Sequence, residues 1–378
     1  MGVRGEQLRL PSRRRARTVR LRKLDAHKGL RGPFTGGMGG GCGSSPGQGR
    51  AMHFNSPCVS GASPTVGHRS GACTTKLMRP TPEMDRVRAE VQTSHMPPRT
   101  LPSYRRARLG AELRRMRLNA GVSAELAASL VGMDRGKIPS IEAGVRTLSA
   151  ERLRTLVAHY GCTDEPYIDA LLGMAQRRRR GWWDQYRERL APGFLDIAEL
   201  EWHATRMHTV QAIHVPGLLQ TEEYSRAIFN AVLPQLSRLD VELRVAHRQE
   251  RQIVLDRRDP VRYTGYVHEA ALRMQFGGRQ VSKRQLDRIC ERSTAEHITI
   301  RVIPVAQGAF PGAGHPLFYA EESVPQLDTA QLDSAHGPEF LHGAEQLAKY
   351  RSHLDWMADH TLNPEASRDL IRAISKEL

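Results

Sequence analysis

The chain has 378 residues and carries 56 Lys and Arg against 40 Asp and Glu, a formal net charge of +16. The charge is uneven: residues 1–100 hold 18 basic and 5 acidic side chains, residues 101–180 hold 15 and 8, and residues 181–378 hold 23 and 27. A uniformly basic, histone-like protein is therefore excluded, no run approaches the ~18 apolar residues of a membrane helix, and the length predicts two or three domains with real cores. Cys42, Cys58, Cys73, Cys162 and Cys290 are odd in number and lack CxxC spacing. They predict neither a disulfide framework nor a metal site, and fit a cytoplasmic protein. A basic start without a following apolar stretch predicts no secretory signal.

Residues 1–100 read as a low-complexity basic extension. Residues 1–95 hold 15 of the 33 glycines, and Gly36 to Gly47 show no apolar period. Such a composition buries too little surface to offset chain entropy, which predicts disorder. The glycines lack a preceding apolar strand, so they do not form a dinucleotide fingerprint. The run Arg13-Arg14-Arg15-Ala16-Arg17 is suited to phosphate contacts or is a plain basic tail. Met84 and Met96 stand just before the first periodic sequence. A start at Met96 leaves 283 residues, so the extension reads alternatively as an over-extended start.

From Leu109 the pattern turns helical, and five helices are expected across 101–176. Leu109, Leu113 and Met116 share one face. Asn119-Ala120-Gly121 ends that helix, and Ser123 offers a hydroxyl cap for a second, buried through Leu126, Ala127 and Leu130. Val131-Gly132-Met133 makes a tight turn, after which Asp134 is expected to cap a third helix ending near Ala143-Gly144. Ser149 caps a fourth, with Leu153, Leu156, Val157 and Tyr160 as its apolar stripe. A fifth runs from Glu165 to Gln176. A basic linker, 177–183, follows, with the hinge-like run Arg177 to Arg180.

Gly121-Val122-Ser123, Glu125-Leu126-Ala127, Ile138, Ile141-Glu142 and Gly144 together resemble the Xre (Cro/repressor-like) helix-turn-helix family. In that arrangement Ala127 lies where two helices cross and Gly132 lies in the turn, where a larger side chain is expected to clash. The resemblance implies double-stranded DNA as the partner, with the N-terminal residues of the third helix in the major groove. By position Arg135 reads bases, Lys137 and Ser140 read bases or grip phosphate, Asp134 caps, and Ser123 and Arg146 hold phosphates. Two positions depart from the family. Ala124 stands where Gln is common, and Pro139-Ser140 where Ser-Arg is common. Proline at the fifth position of the third helix removes a backbone bond and crowds the carbonyl of Arg135, which predicts a kink or a shortened helix. Pro139→Ser is expected to raise DNA affinity.

Residues 184–378 read as α+β, giving an α+β protein overall: an all-α five-helix domain, then a mixed domain. Trp182-Trp183 opens it as a packing pair. Strands are expected at Thr209–Val215, Val261–Val267 and Ile298–Val302. Helices are expected after Pro216-to-Thr221 and over 241–255, 268–276, 281–295, 339–360 and 365–378. Pro325-Gln326-Leu327 breaks what would otherwise be a strand. Glu201, Ala204, the Pro216-to-Thr221 run with Tyr224, Arg248, Arg251, Gln252, Leu255, Glu269 to Arg273, Gln285-Leu286 and Arg301 to Pro304 look like the uncharacterised C-terminal domain of actinobacterial Xre-type regulators. That resemblance implies a regulator, often encoded beside a small partner protein in an antitoxin-like arrangement.

Enzyme signatures are missing. His268-Glu269 lacks the second His of HExxH, and neither GxSxG nor GxxxxGK[ST] occurs. No catalytic residues, metal or cofactor are expected. Glu201, Arg248, Arg251 and Gln252 read either as a salt-bridge network or as an anion site for a partner or effector. The expected protein is a dimeric, cytoplasmic, nucleoid-associated DNA-binding regulator. The alternative is an antitoxin-like protein that sequesters a small partner.

Overall fold

A computed structural model describes residues 101–176, 181–334 and 336–378. The glycine-rich extension, the alternative start at Met96 and the run Arg177 to Arg180 lie outside the described residues. The first half is all helix, as its apolar periods dictate: α1 Tyr104–Asn119, α2 Ala124–Leu130, α3 Lys137–Glu142, α4 Ala150–His159 and α5 Glu165–Ala175. Three of these starts are set by a side-chain oxygen taking a first-turn N–H. Ser123 Oγ accepts from Leu126 N at 3.1 Å, Ser149 Oγ from Arg152 N at 3.4 Å, and Asp164 Oδ1 from Tyr167 N at 3.1 Å. Leu113, Ile138, Leu153, Leu156 and Leu171 meet in one buried cluster. Each such side chain is worth roughly 1.5–3 kcal/mol relative to exposure.

The third helix differs from its expectation. It begins at Lys137, and its N-cap is Gly136 without a side-chain bond. Asp134 does not cap it; its carboxylate pairs instead with Lys137 Nζ at 2.5 Å. Pro139 is consequently the third helical residue, where a backbone N–H would have no intrahelical partner. The helix is short, and proline's interior penalty does not arise.

A 3-10 turn at Trp182–Tyr186 leads into α6 Pro192–His203, and a mixed sheet follows. Its strands are β1 Arg206–Gln211, β2 Arg262–His268, β3 Ile298–Ile303, β4 Leu317–Glu321, β5 Thr329–Ser334 and β6 Gly337–Leu341, in the order β3-β2-β1-β4-β5-β6. β1, β2 and β3 are parallel, and β4 to β6 add antiparallel. The parallel crossovers run through α7 Glu222–Asn230, α8 Arg238–Arg251 and α9 Ile253–Asp256, then α10 Glu269–Arg273 and α11 Arg279–Arg292. Alternation assigns the two faces. Met207, Tyr263, Val267 and Phe318 face the main core with Leu255, Leu286 and Ile371. Val210, Tyr266, Tyr319 and Ala330 face Leu347, Leu354 and Met357 of α12 Ala344–His360. α13 Pro364–Glu377 closes the chain. The α+β reading holds. The helix expected from Glu339 is in fact β6 followed by α12, and the first strand starts three residues earlier than Thr209 and ends at Gln211.

The helical half and the sheet half touch through α1. Val324, just before the Pro325-Gln326-Leu327 turn between β4 and β5, and Leu327, its last residue, are buried in the helical cluster. Tyr104 stacks on Phe340 at 4.3 Å, its N–H donates to Asp196 Oδ1 at 2.9 Å, and its hydroxyl meets Thr329 Oγ1 at 3.1 Å. Arg105 pairs with Glu322 at 2.8 Å. Arg108, 3% exposed, donates from Nη2 to the Gln326 carbonyl at 2.6 Å and pairs with Glu112 at 3.0 Å. Burial pushes the Glu112 carboxyl up, but Arg108, Tyr167 and Arg115 outweigh it and hold the group below the usual range.

Candidate nucleic-acid interface

α2, the turn after it and α3 form a rigid unit. Ala127 is fully buried where α2 meets its neighbours. Gly132 takes φ +60, and Met133 N donates back to the Ala128 carbonyl at 2.9 Å. A Cβ on Gly132 would meet nothing within 4 Å. Glycine is required there by its left-handed backbone, not by the expected clash.

The true close approach is between α1 and the end of α3. A Cβ on Gly110 would stand 2.3 Å from the Glu142 carbonyl oxygen, and one on Gly144 would stand 2.7 Å from the Ala107 nitrogen. Arg117 completes this clamp. Its Nε and Nη2 grip the two Glu142 oxygens at 2.5 and 2.9 Å, and its Nη1 donates to the Val122 carbonyl at 2.8 Å. The orientation of α3 is therefore fixed by α1, the same helix that docks on the sheet half.

On the outer side, the expected residues divide. Arg135 and Arg146 are exposed, and among the described residues no side-chain partner holds either. Arg135 lies in the turn just before α3, and Arg146 in the loop just after it. Lys137 is tied to Asp134, whose carboxyl the lysine's hydrogen bond holds low. Ser140 Oγ reaches only its own turn, the Gly136 carbonyl at 3.5 Å. Ser123 is exposed, with an acceptor spent on its cap and a hydroxyl proton to give. Arg106 was not among the sequence candidates. It is exposed and without a side-chain partner among the described residues, and its backbone abuts Gly144. An exposed arginine early in α1 was its one sequence signal.

Residues 108–170 match a family model described as a helix-turn-helix domain. This half carries a DNA-binding architecture. Residues 194–373 match a domain of unknown function (DUF5753). No curated protein and no solved structure matches the chain. No helix among the described residues is long and apolar enough to cross a membrane.

The second set of expected residues lies on α6 and at the C-terminal end of α8. Glu201, 1% exposed, is gripped by Arg251 through Nε at 2.8 Å and Nη2 at 2.5 Å. Gln220 was not foreseen and organises the others. Its carbonyl oxygen Oε1 accepts from Arg248 Nη1 at 2.7 Å, and its backbone oxygen accepts from Gln252 Nε2 at 2.8 Å. The four expected residues thus split into a closed ion pair and a glutamine-linked pair. His247 sits alongside, 1% exposed, boxed by Trp182, Tyr186 and Phe194 at ring distances of 5.4, 5.0 and 5.9 Å.

Proposed function

We propose that this chain is a sequence-specific, DNA-binding transcriptional regulator of the Xre type, active as a cytoplasmic dimer, with the sheet half serving partner or effector binding rather than catalysis. The observation that carries this reading is Arg135: an exposed guanidinium, without a partner among the described residues, at the entrance of a short, clamped α3. In a major groove such a group donates two bonds to guanine. Arg146, Arg106 and the Ser123 hydroxyl flank it as phosphate contacts, and Lys137 and Ser140 are secondary. Asp134 helps by orienting Lys137. One module covers a half-site, hence the dimer.

The test is retardation of DNA from upstream of the protein's own gene. Binding should fall steeply with salt. Arg135→Ala should lose about 1–3 kcal/mol of preference over random DNA. Wild-type discrimination by the variant would refute the groove assignment.

A second reading, sequestration of a small partner protein encoded nearby, draws support from the loop between α7 and α8 and the first turn of α8. Leu233 in that loop is 83% exposed and Leu239 in the first turn of α8 is 67% exposed, two large apolar side chains open to a partner. Co-purification of such a partner with Leu233→Ser/Leu239→Ser at wild-type yield would count against it.

A further inference from the structure

The segment 322–328, between β4 and β5, is tied on two sides. Toward the helix-turn-helix half, Glu322 pairs with Arg105 at 2.8 Å, Val324 and Leu327 fill the bundle core, and the Gln326 carbonyl takes Arg108. The Gln326 side-chain amide also donates to Asp164 Oδ2 at 3.0 Å, the residue that caps α5. Toward the sheet half, Arg351 of α12 holds the segment. Its Nε donates to the Tyr319 hydroxyl at 2.8 Å, and its Nη2 reaches the Pro325 carbonyl at 3.2 Å and Asp328 Oδ2 at 3.4 Å. Among the described residues Arg351 bonds nothing of the helix-turn-helix half, so any influence on it passes through the segment.

Asp328 is where that influence enters. It is 4% exposed, its Oδ2 accepts from the Tyr319 hydroxyl at 2.9 Å, and its Oδ1 accepts from the Glu322 N–H at 3.1 Å. Among the described residues Arg351 is the one cation paired with it. A carboxylate so buried is costly once its cation is gone, and the segment that carries it must then shift or loosen. Arg351 itself has a side chain 43% exposed, so its removal opens no core. The other side of the segment bears on α1, a stiff helix of 16 residues. Gly110 of α1 packs on the Glu142 carbonyl, and Arg117 of α1 grips the Glu142 carboxylate. A displacement felt at Arg105 and Arg108 is thereby delivered to the end of α3.

We infer that Arg351 is a positioning residue for DNA recognition: by neutralising Asp328 it fixes the 322–328 segment on which α1 seats, and through α1 it sets the angle of α3. Its effect on DNA rests on the binding role proposed above, whereas its hold on α1 and α3 rests on the contacts alone. An arginine that merely adds stability would, when removed, loosen the sheet and the helices alike. A positioning arginine loosens α1 and α3 more than the strands beside it.

Amide hydrogen exchange and DNA retardation are measured on the full chain for wild type, Arg351→Ala and Arg351→Ala/Asp328→Asn, well below the Tm of each. Loss of Arg351 should speed exchange in α1 and α3 about fivefold more than in β2 and β3, which register any general loss of stability. It should also weaken binding to the specific DNA about fivefold. Asp328→Asn removes the stranded charge, and the new amide N–H can donate to the Tyr319 oxygen that Arg351 has released. The double variant should therefore recover most of the protection and most of the affinity. Equal acceleration in the strands, or no recovery in the double variant, would overturn the positioning role. Wild-type affinity in Arg351→Ala despite loosened helices would overturn its part in DNA recognition. If Arg351→Ala does not fold, Arg351→Lys decides: it keeps the charge and loses the fork, and its smaller acceleration must still be confined to α1 and α3. No specific retardation by the wild-type chain would refute the DNA-binding reading, while exchange would still decide whether Arg351 holds α3.

Discussion

The two halves of this protein deploy arginine in opposite ways. On the outer side of the helix-turn-helix half, Arg106, Arg135 and Arg146 stand exposed and without partners among the described residues. In the sheet half, Arg226, Arg251, Arg273 and Arg292 each close on a carboxylate of the same chain. Unpaired surface cations cost a fold little and are ready for phosphates and base edges. Paired ones consume their charge in holding elements together. Local basicity therefore marks a binding surface only where the carboxylates are missing, and the sheet half, with more acidic than basic residues, shows the complement.

Variants can break this comparison. The largest effect is expected from Arg108→Met, which removes a buried cation shared by Glu112 and the Gln326 carbonyl. Glu112 keeps Arg115 and Tyr167, so the lost ion-pair partner and the unpaired Gln326 carbonyl should together cost about 2–3 kcal/mol in urea unfolding at neutral pH. A loss below about 1 kcal/mol would mean that the contact between the halves contributes little.

His247 supplies a pH-dependent counterpart. Burial, with Arg251 and Arg248 close by, pushes its imidazole from 6.5 down to about 3. The unfolded chain's histidine takes up a proton near pH 6.5 and the folded one does not. Stability should therefore fall as pH drops from about 6.5 toward 3, by on the order of 4 kcal/mol at the acid end. His247→Phe keeps the ring among its aromatic neighbours and should flatten that slope. An acid-unfolding midpoint unchanged from wild type would contradict it.

Arg135→Ala should do the reverse of Arg108→Met, leaving stability within about 0.5 kcal/mol while removing base preference. A lowered Tm would show that Arg135 is structural after all. The smallest effect is expected from Pro139→Ser. Because Pro139 is already in the first turn of α3, stability should change by less than about 0.5 kcal/mol. Operator affinity should rise modestly as the turn before α3 gains helical freedom. Equal or weaker binding would show that the short helix is the working form.

Much of this was legible in the sequence, for local reasons. Ser123, Ser149 and Asp164 mark helix starts because a cap needs only residues three apart. β1 to β3 announce themselves through buried alternating runs such as Ile298 to Ile303. What stayed hidden depends on distant partners. β6 carries Pro338 at the sheet's edge and reads as the start of a helix until β5 is there to pair with it. Arg108 looks like one more solvated arginine on α1, and only a turn 218 residues away makes it internal. Arg135 was readable by its position, whereas the part played by Gln220 emerges only once Arg248 and Gln252 are seen to meet on it.

The Pro325-Gln326-Leu327 turn has a consequence for the order of events during synthesis. Val324 and Leu327 belong to the core of a bundle whose own helices end at Ala175. A ribosome that has released the whole bundle has not yet made two of its core side chains, nor the carbonyl that receives Arg108. Chains emerge N-terminus first, and long-range contacts form late. The helix-turn-helix half is thus completed only once the chain has passed the sheet's fourth strand, so a chain stopped before that point carries α3 on an unfinished support.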